Sequence, residues 1–381
     1  MGLTSRTLLI IAILAALGCV VGTVWMWPRL ARRHWAAVLG RLGTLMATQL
    51  AFLAALGLAA NGYFGFYASW RDLLGTGADQ PVAVQNHFGT GTPAEHTADP
   101  APGVEPLGKV PLTGPDGGAP REAGMIEKVR IAGGRSGLSS EGYVYLPPQY
   151  FRPGGQHRRL PVAVVLTGYP GDARNLITRL DYPGVALDRI RAGRMQPTVL
   201  VLLRPTVAPP RDTECVDVPH GPQAEAYFVR DVPQAVAAAY RVATGPRSWG
   251  VIGDSTGGYC ALKFALRHPD VYGAAVSLSG YYHAAHDATT GDLFGGSVRL
   301  RRENDLMWRL RHLPVPEVSL LVATSREGEG DYHATQRFIA AATPPLRVSS
   351  IILGSGGHNF RTWRQELPVA LPWLAQHLRA G

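Results

Sequence analysis

Ser255 stands in Gly253-Asp254-Ser255-Thr256-Gly257, a G-x-S-x-G pattern. The run Ser248-Trp249-Gly250-Val251-Ile252 precedes it, and apolar side chains at helical spacing follow it up to Pro269. The order is strand, sharp turn, helix. A serine hydroxyl is a weak nucleophile unless its Oγ is pushed out on a strained turn toward a histidine base, and this order supplies such a turn. Gly253 and Gly257 carry no Cβ, so strand and helix can close around Ser255. A glycine-rich turn that merely holds a serine is the competing reading, and the flanking strand and helix decide against it.

A serine of this kind needs a histidine base, an acid to orient it and two amide donors for the oxyanion. With the acid and then the histidine following the serine, His358 is the base. It lies in Gly354-Ser355-Gly356-Gly357-His358-Asn359-Phe360, just after the last apolar strand, where a glycine-rich loop can hang an imidazole over the sheet edge. The acid should come from Thr324-Ser325-Arg326-Glu327-Gly328-Glu329-Gly330-Asp331-Tyr332. Glu329 is taken first and Glu327 second, while Asp331 reads as the N-cap of a helix over 332–341. For the oxyanion hole, one donor is the N–H of Thr256. The other falls in Thr167-Gly168-Tyr169-Pro170-Gly171: Pro170 has no N–H, so Tyr169 is taken, with Gly168 behind it. The set needs no cofactor. His283 and His286 have i,i+3 spacing but no third ligand nearby, so no metal site is expected.

These residues need a scaffold. Strands are expected over 126–131, 142–146, 160–166, 198–203, 273–278, 318–323 and 348–353, besides the one before Ser255. Helices fall between them over 175–191 with a break near Pro183, over 231–242, and at the end over 363–378. Short apolar strands separated by helices imply a mostly parallel sheet covered on both faces, an α/β fold. Between Tyr281 and Pro314 the alternation lapses. That stretch carries Arg299, Arg301, Arg302, Arg309 and Arg311, with Phe294 and Trp308 as buried anchors, and reads as a lid or acyl-binding wall or else as a solvated basic helix.

Ahead of the folded part, residues 7–27 and 45–64 are long and apolar enough to cross a bilayer. The loop between them holds Arg29, Arg32, Arg33 and Arg41. Placed inside by the positive-inside rule, it puts both the N-terminus and everything after residue 66 outside. Gly18 and Gly22, with Ala47, Ala51, Ala55 and Ala59, suggest a close helix pair. A cleavable signal peptide is the alternative, weakened by the second span and the want of a small-x-small cleavage site. The division expected is therefore a two-helix transmembrane anchor over 1–71, a Gly/Pro-rich linker over 72–124 and a catalytic domain over 125–381. The net charge of +9 suits anionic lipid or a surface polymer, or is simply an arginine-rich surface, and no nucleic-acid motif accompanies it. Cys215 and Cys260 would both lie outside the membrane, where a disulfide persists, and either bridge or remain separate thiols.

Tyr145-Leu146-Pro147-Pro148, the Gly168 loop, Gly253-Asp254-Ser255-Thr256-Gly257-Gly258 and Gly356-Gly357-His358-Asn359-Phe360 together resemble the esterase family that contains esterase D and the secreted mycolyltransferases. The resemblance covers roughly residues 126–378 and implies an α/β-hydrolase fold with Ser255 as nucleophile, a glutamate as acid and His358 as base. By the mycolyltransferase pattern the second oxyanion amide maps to Tyr169. The chain departs from esterase D in having Thr167-Gly168 where those proteins have His-Gly, which argues against a formylglutathione substrate. It departs from the mycolyltransferases in its membrane helices. The expectation is a membrane-anchored, extracytoplasmic serine esterase or acyltransferase acting on an acyl-lipid or acyl-sugar ester, with water or an alcohol or sugar as acceptor. A catalytically silent hydrolase fold serving as a cell-envelope binding module is the alternative.

Overall fold

The computed structural model describes residues 5–31, 34–64, 103–110, 119–153, 158–329 and 331–381. It divides into two compact units, Met1–Gln80 and Pro81–Gly381.

In the first unit, α1 (Arg6–Leu30) and α2 (Trp35–Phe64) pack against each other as a hairpin. The seam is polar at its centre: the Thr23 and Thr48 hydroxyls bond at 3.0 Å, and Thr48 also donates to the Thr44 carbonyl at 2.8 Å. Ala16 and Ala37 are buried along it. Small residues do line the contact, but Gly18 and Gly22 are not among them: a Cβ on either would meet open space.

Among its described residues the second unit is built on nine strands: β1 (Gly103–Val110), β2 (Met125–Ala132), β3 (Ser139–Leu146), β4 (Val162–Leu166), β5 (Val199–Leu203), β6 (Trp249–Asp254), β7 (Ala274–Leu278), β8 (Ser319–Glu327) and β9 (Arg347–Ser355). They lie in the order β1-β2-β3-β5-β4-β6-β7-β8-β9, antiparallel from β1 to β5 and parallel from β5 to β9. β4 and β5 read VAVVL and VLVLL and are wholly buried, as strands covered on both faces must be. The covering helices are α3 (Tyr182–Arg191), α4 (Val232–Ala239), α5 (Thr256–Arg267), α6 (Val298–Glu303), α7 (Leu306–His312), α8 (Tyr332–Ala341) and α9 (Phe360–Gln376). Val232, Tyr259 and Phe264 pack under one face of the sheet, and Tyr182, Ile190, Leu367 and Leu371 under the other.

The sheet begins inside the stretch read as linker. β1 pairs antiparallel with β2, and Pro120–Ala123 forms a helical turn; residues 65–102, including the boundary placed at 71/72, lie outside the described residues. β1 escaped the pattern because it is an edge strand, half exposed, and an edge tolerates the Pro106 and Gly108 that would disqualify a central strand. The break foreseen near Pro183 falls at Arg179–Asp181, where Asp181 adopts φ 56° and accepts from the Gly184 N–H to cap α3.

Candidate active site

The register of the parallel strands assembles the site. Leu166 of β4 pairs with Gly253 of β6, and Asp254 pairs with Leu278 of β7, so Gly168, Ser255 and Ser279 emerge side by side at the carboxyl ends of the strands. The chain places β5 on one side of β4 and β6 on the other, and a crevice opens where strand order reverses in this way.

Ser255 has φ 53° and ψ −121°, a strained backbone for a residue with a Cβ, and sits immediately before α5. Two glycines make room: a Cβ on Gly257 would collide with the Leu166 carbonyl oxygen, and one on Gly168 would come within 2.8 Å of Ser255 Cβ. The turn delivers Ser255 Oγ to within 2.8 Å of His358 Nε2. His358 remains exposed to solvent on one side, while its ring meets Trp363 edge-on at 5.2 Å. Crowding by protein lowers its pKa from the usual 6.5, partly opposed by the charge of Asp331.

Glu329 is the buried carboxylate of its loop. One oxygen accepts from Ser279 Oγ at 2.6 Å; the other accepts from Thr324 Oγ1 at 3.0 Å and the Ser325 N–H at 3.1 Å. Ser279, itself at φ 50°, accepts in turn from Trp363 Nε1 at 2.9 Å. Glu329 is thus tied through Ser279 and Trp363 to the ring against which His358 packs. Burial raises its pKa against the pull of these donors. Glu327 ends β8, exposed. Asp331 does precede α8, but its side chain makes no cap bond; it turns toward Thr324, and its charge acts on His358.

Thr256 opens α5, so its N–H has no intrahelical acceptor. The Gly168 N–H donates to Asp254 Oδ2 at 2.9 Å, which removes Gly168 as the second oxyanion donor. Asp254 is buried with its other oxygen unpartnered among the described residues, and burial pushes it up to about 7. The Tyr169 hydroxyl donates to the Pro210 carbonyl, fixing the oxyanion loop against the next loop.

That next loop holds a buried relay. Tyr281, stacked on Tyr259 at 5.3 Å, places its hydroxyl 2.6 Å from Glu214 Oε1 and 2.9 Å from Thr256 Oγ1. Burial, reinforced by Asp212, pushes Glu214 up to about 8. The Tyr281 hydroxyl thus bridges Glu214 and Thr256. Cys215, next in sequence, is bonded to Cys260 on α5, with Cα atoms 5.9 Å apart, and Lys263 Nζ donates to the carbonyls of Glu214 and Cys215. The bond closes a loop across a separation of 45 residues. Replacing both cysteines with alanine should lower unfolding stability by about 4 kcal/mol, the loop-closure entropy of a chain of that length, read as a fall in the denaturant midpoint with a steeper slope as the unfolded chain expands.

Ser279, Trp363, Tyr281 and Asp254 carry no sequence signal of their own apart from nearness to the elbow or to His358. Phe294 is buried against Val216, Val218 and Leu293, as an anchor should be. Trp308 is not part of the same wall: it lies by the far end of α5, some 12 residues, or about 18 Å, from Thr256. His283 and His286 are exposed, and no group of three metal-ligating side chains occurs among the described residues.

The structure is similar to that of a ferulic acid esterase, with a TM-score of 0.55 at 17% identity over 66% of this chain and 98% of the other. It is likewise similar to an S-formylglutathione hydrolase from Agrobacterium tumefaciens, at 0.56 and 16% over 68% and 97%. These likenesses show the fold. An uncharacterised protein of Corynebacterium glutamicum is 27% identical over 282 residues, 67% of this chain but 63% of the relative, so the chain spans less than two thirds of that protein. The sequence model of the Esterase family matches residues 137–374, from the start of β3 into α9. A match that takes in the elbow, both loops beside it and His358 makes this chain a member of the esterase family, with the α/β-hydrolase fold.

Proposed function

We propose that this esterase works through an acyl-enzyme on Ser255, with His358 as base, Glu329 as the acid that orients it, and the Thr256 and Tyr169 N–H groups as the oxyanion hole. The observation that carries the reading is the 2.8 Å approach of His358 Nε2 to a serine held at φ 53°. Ser255 Oγ attacks the ester carbonyl carbon as Nε2 takes its proton, and the carbonyl electron pair moves to the oxygen facing the two amides. Collapse expels the alkoxide, which takes the proton from His358. Water, or an alcohol or sugar, then gives its proton to Nε2 and attacks the acyl carbon, and Ser255 leaves reprotonated. Hydrolysis and acyl transfer differ only in that second nucleophile.

The same reading places the enzyme on a membrane with its catalytic domain outside the cytoplasm. α1 and α2 hold spans of 24 and 27 residues apolar enough to cross a bilayer, and their outward side chains are apolar, with Val24 and Leu56 each 68% exposed. An apolar surface of that extent is stable in lipid and not in water.

Fluorophosphonate labelling of the full chain in detergent tests the chemistry, with the modified peptide located by mass spectrometry. Label is expected on Ser255 and absent in Ser255→Ala and His358→Ala. Because His358 acts neutral and its pKa is lowered, the labelling rate should hold as pH falls through 6.5 and be lost only below it. Absence of label from a folded chain would move the silent binding-module reading to the front.

A further inference from the structure

A cavity of about 490 Å³ opens at the far end of α5 from the nucleophile, lined by Arg267, Arg299, Arg302, Arg309, Glu303 and Trp308, with Val298 and Leu313 at its apolar side. Four guanidinium groups face one carboxylate. Arg267 is engaged by Glu225 at 2.6 Å, and Arg299 lies 3.8 Å from Glu303 while remaining 83% exposed. Arg302 has no ion pair among the described residues. Lys263 and Glu225, just behind the wall, cancel one another and leave an excess of three positive charges.

Arg309 is the most constrained of the four. Its two terminal nitrogens donate to the carbonyls of Glu303 and Leu266, at 3.4 and 3.3 Å, which closes the C-terminal ends of α6 and α5. Among the described residues its Nε is buried without a partner, and burial with Arg267 alongside depresses its pKa. Arg299 and Arg302, exposed at the mouth, present planar guanidinium groups that match phosphate oxygens in pairs. The ring of Trp308, stacked on His312 at 4.6 Å, and Val298, 61% exposed, give the mouth an apolar edge. A free ion has no use for that edge, whereas an amphiphile does.

We infer that the cavity between α5 and the α6–α7 insertion binds the phosphate of an anionic lipid headgroup. This holds the catalytic domain to an anionic bilayer by a contact separate from the ester-cleaving crevice. The lipid source rests on the membrane-anchor reading; the phosphate chemistry does not.

The test uses the full chain in nanodiscs of phosphatidylcholine alone and of phosphatidylcholine with phosphatidylglycerol, followed by amide hydrogen exchange. Residues 298–313 should exchange more slowly in the anionic discs. Arg302→Gln, an exposed position whose side chain makes no hydrogen bond among the described residues, should remove that protection while leaving fluorophosphonate labelling of Ser255 unchanged. Inorganic phosphate added to the chain in detergent is the second arm. Its apparent affinity for the wild type should fall about tenfold in Arg302→Gln, the loss of one charge-assisted hydrogen bond. Protection by phosphate, with none from anionic lipid, would keep the anion site and overturn the lipid source. Protection by neither would overturn the proposal outright. Failure of the chain to enter the discs would count against the anchor alone, since the phosphate arm would still decide the cavity.

Discussion

Replacing Ser255 with alanine should slow hydrolysis of a short-chain chromogenic ester by about 10⁶-fold, leaving the melting of the domain nearly unchanged. The methyl side chain tolerates the φ of 53° no better and no worse than serine does, so the substitution removes the Oγ and little else. His358→Ala should lose a similar factor, because the 2.8 Å contact makes nucleophile and base one unit. The double variant is therefore expected to be no slower than either single one. Losses that multiplied would show the two side chains acting independently and would break the proposed pair.

Glu329→Gln is expected to cost about 10³- to 10⁴-fold in kcat, and Asp331→Asn no more than about tenfold. Glu329 accepts from Ser279, Thr324 and the Ser325 N–H, which occupy three of the four lone-pair sites of a carboxylate, and each of these groups faces it as a donor. Glutamine would keep the length of the side chain, surrender its charge and turn a donor against a donor. Asp331 has a more distant hydroxyl, Thr324 Oγ1 at 3.5 Å, beside it. Initial rates and circular dichroism melts of the two variants decide the matter. A small loss at Glu329 with a large one at Asp331 would transfer the orienting role to the aspartate.

The elbow was legible in the sequence because its demands are local: an apolar strand, two glycines, and a helix with one face apolar leave Ser255 few other settings. The strands of the parallel sheet were legible for the same reason, since burial on both faces writes an uninterrupted apolar run. β1 was not, because an edge strand half open to water needs no such run and can hold Pro106. Nor were Ser279 and Trp363, which reach Glu329 and His358 through register and a helix start that only the assembled sheet provides. The relay from Glu214 through Tyr281 to Thr256 spans three loops and has no spacing to read. Asp331 shows the converse: its position before α8 was foreseen, while its side chain leaves the helix uncapped and turns to Thr324, a choice of rotamer that position in the chain does not fix.

His358 lies open to solvent. Water can therefore reach an acyl group carried by Ser255 from the open side of His358, and a dilute alcohol competing for it by mere encounter would lose. Only an acceptor held in register with the acyl carbon can win, since oriented partners reach effective molarities of about 10⁵ M and more. The balance between cleaving an ester and moving its acyl group is then a property of the rim that grips the acceptor, and it would be redirected by substitutions there without touching the residues that break the bond.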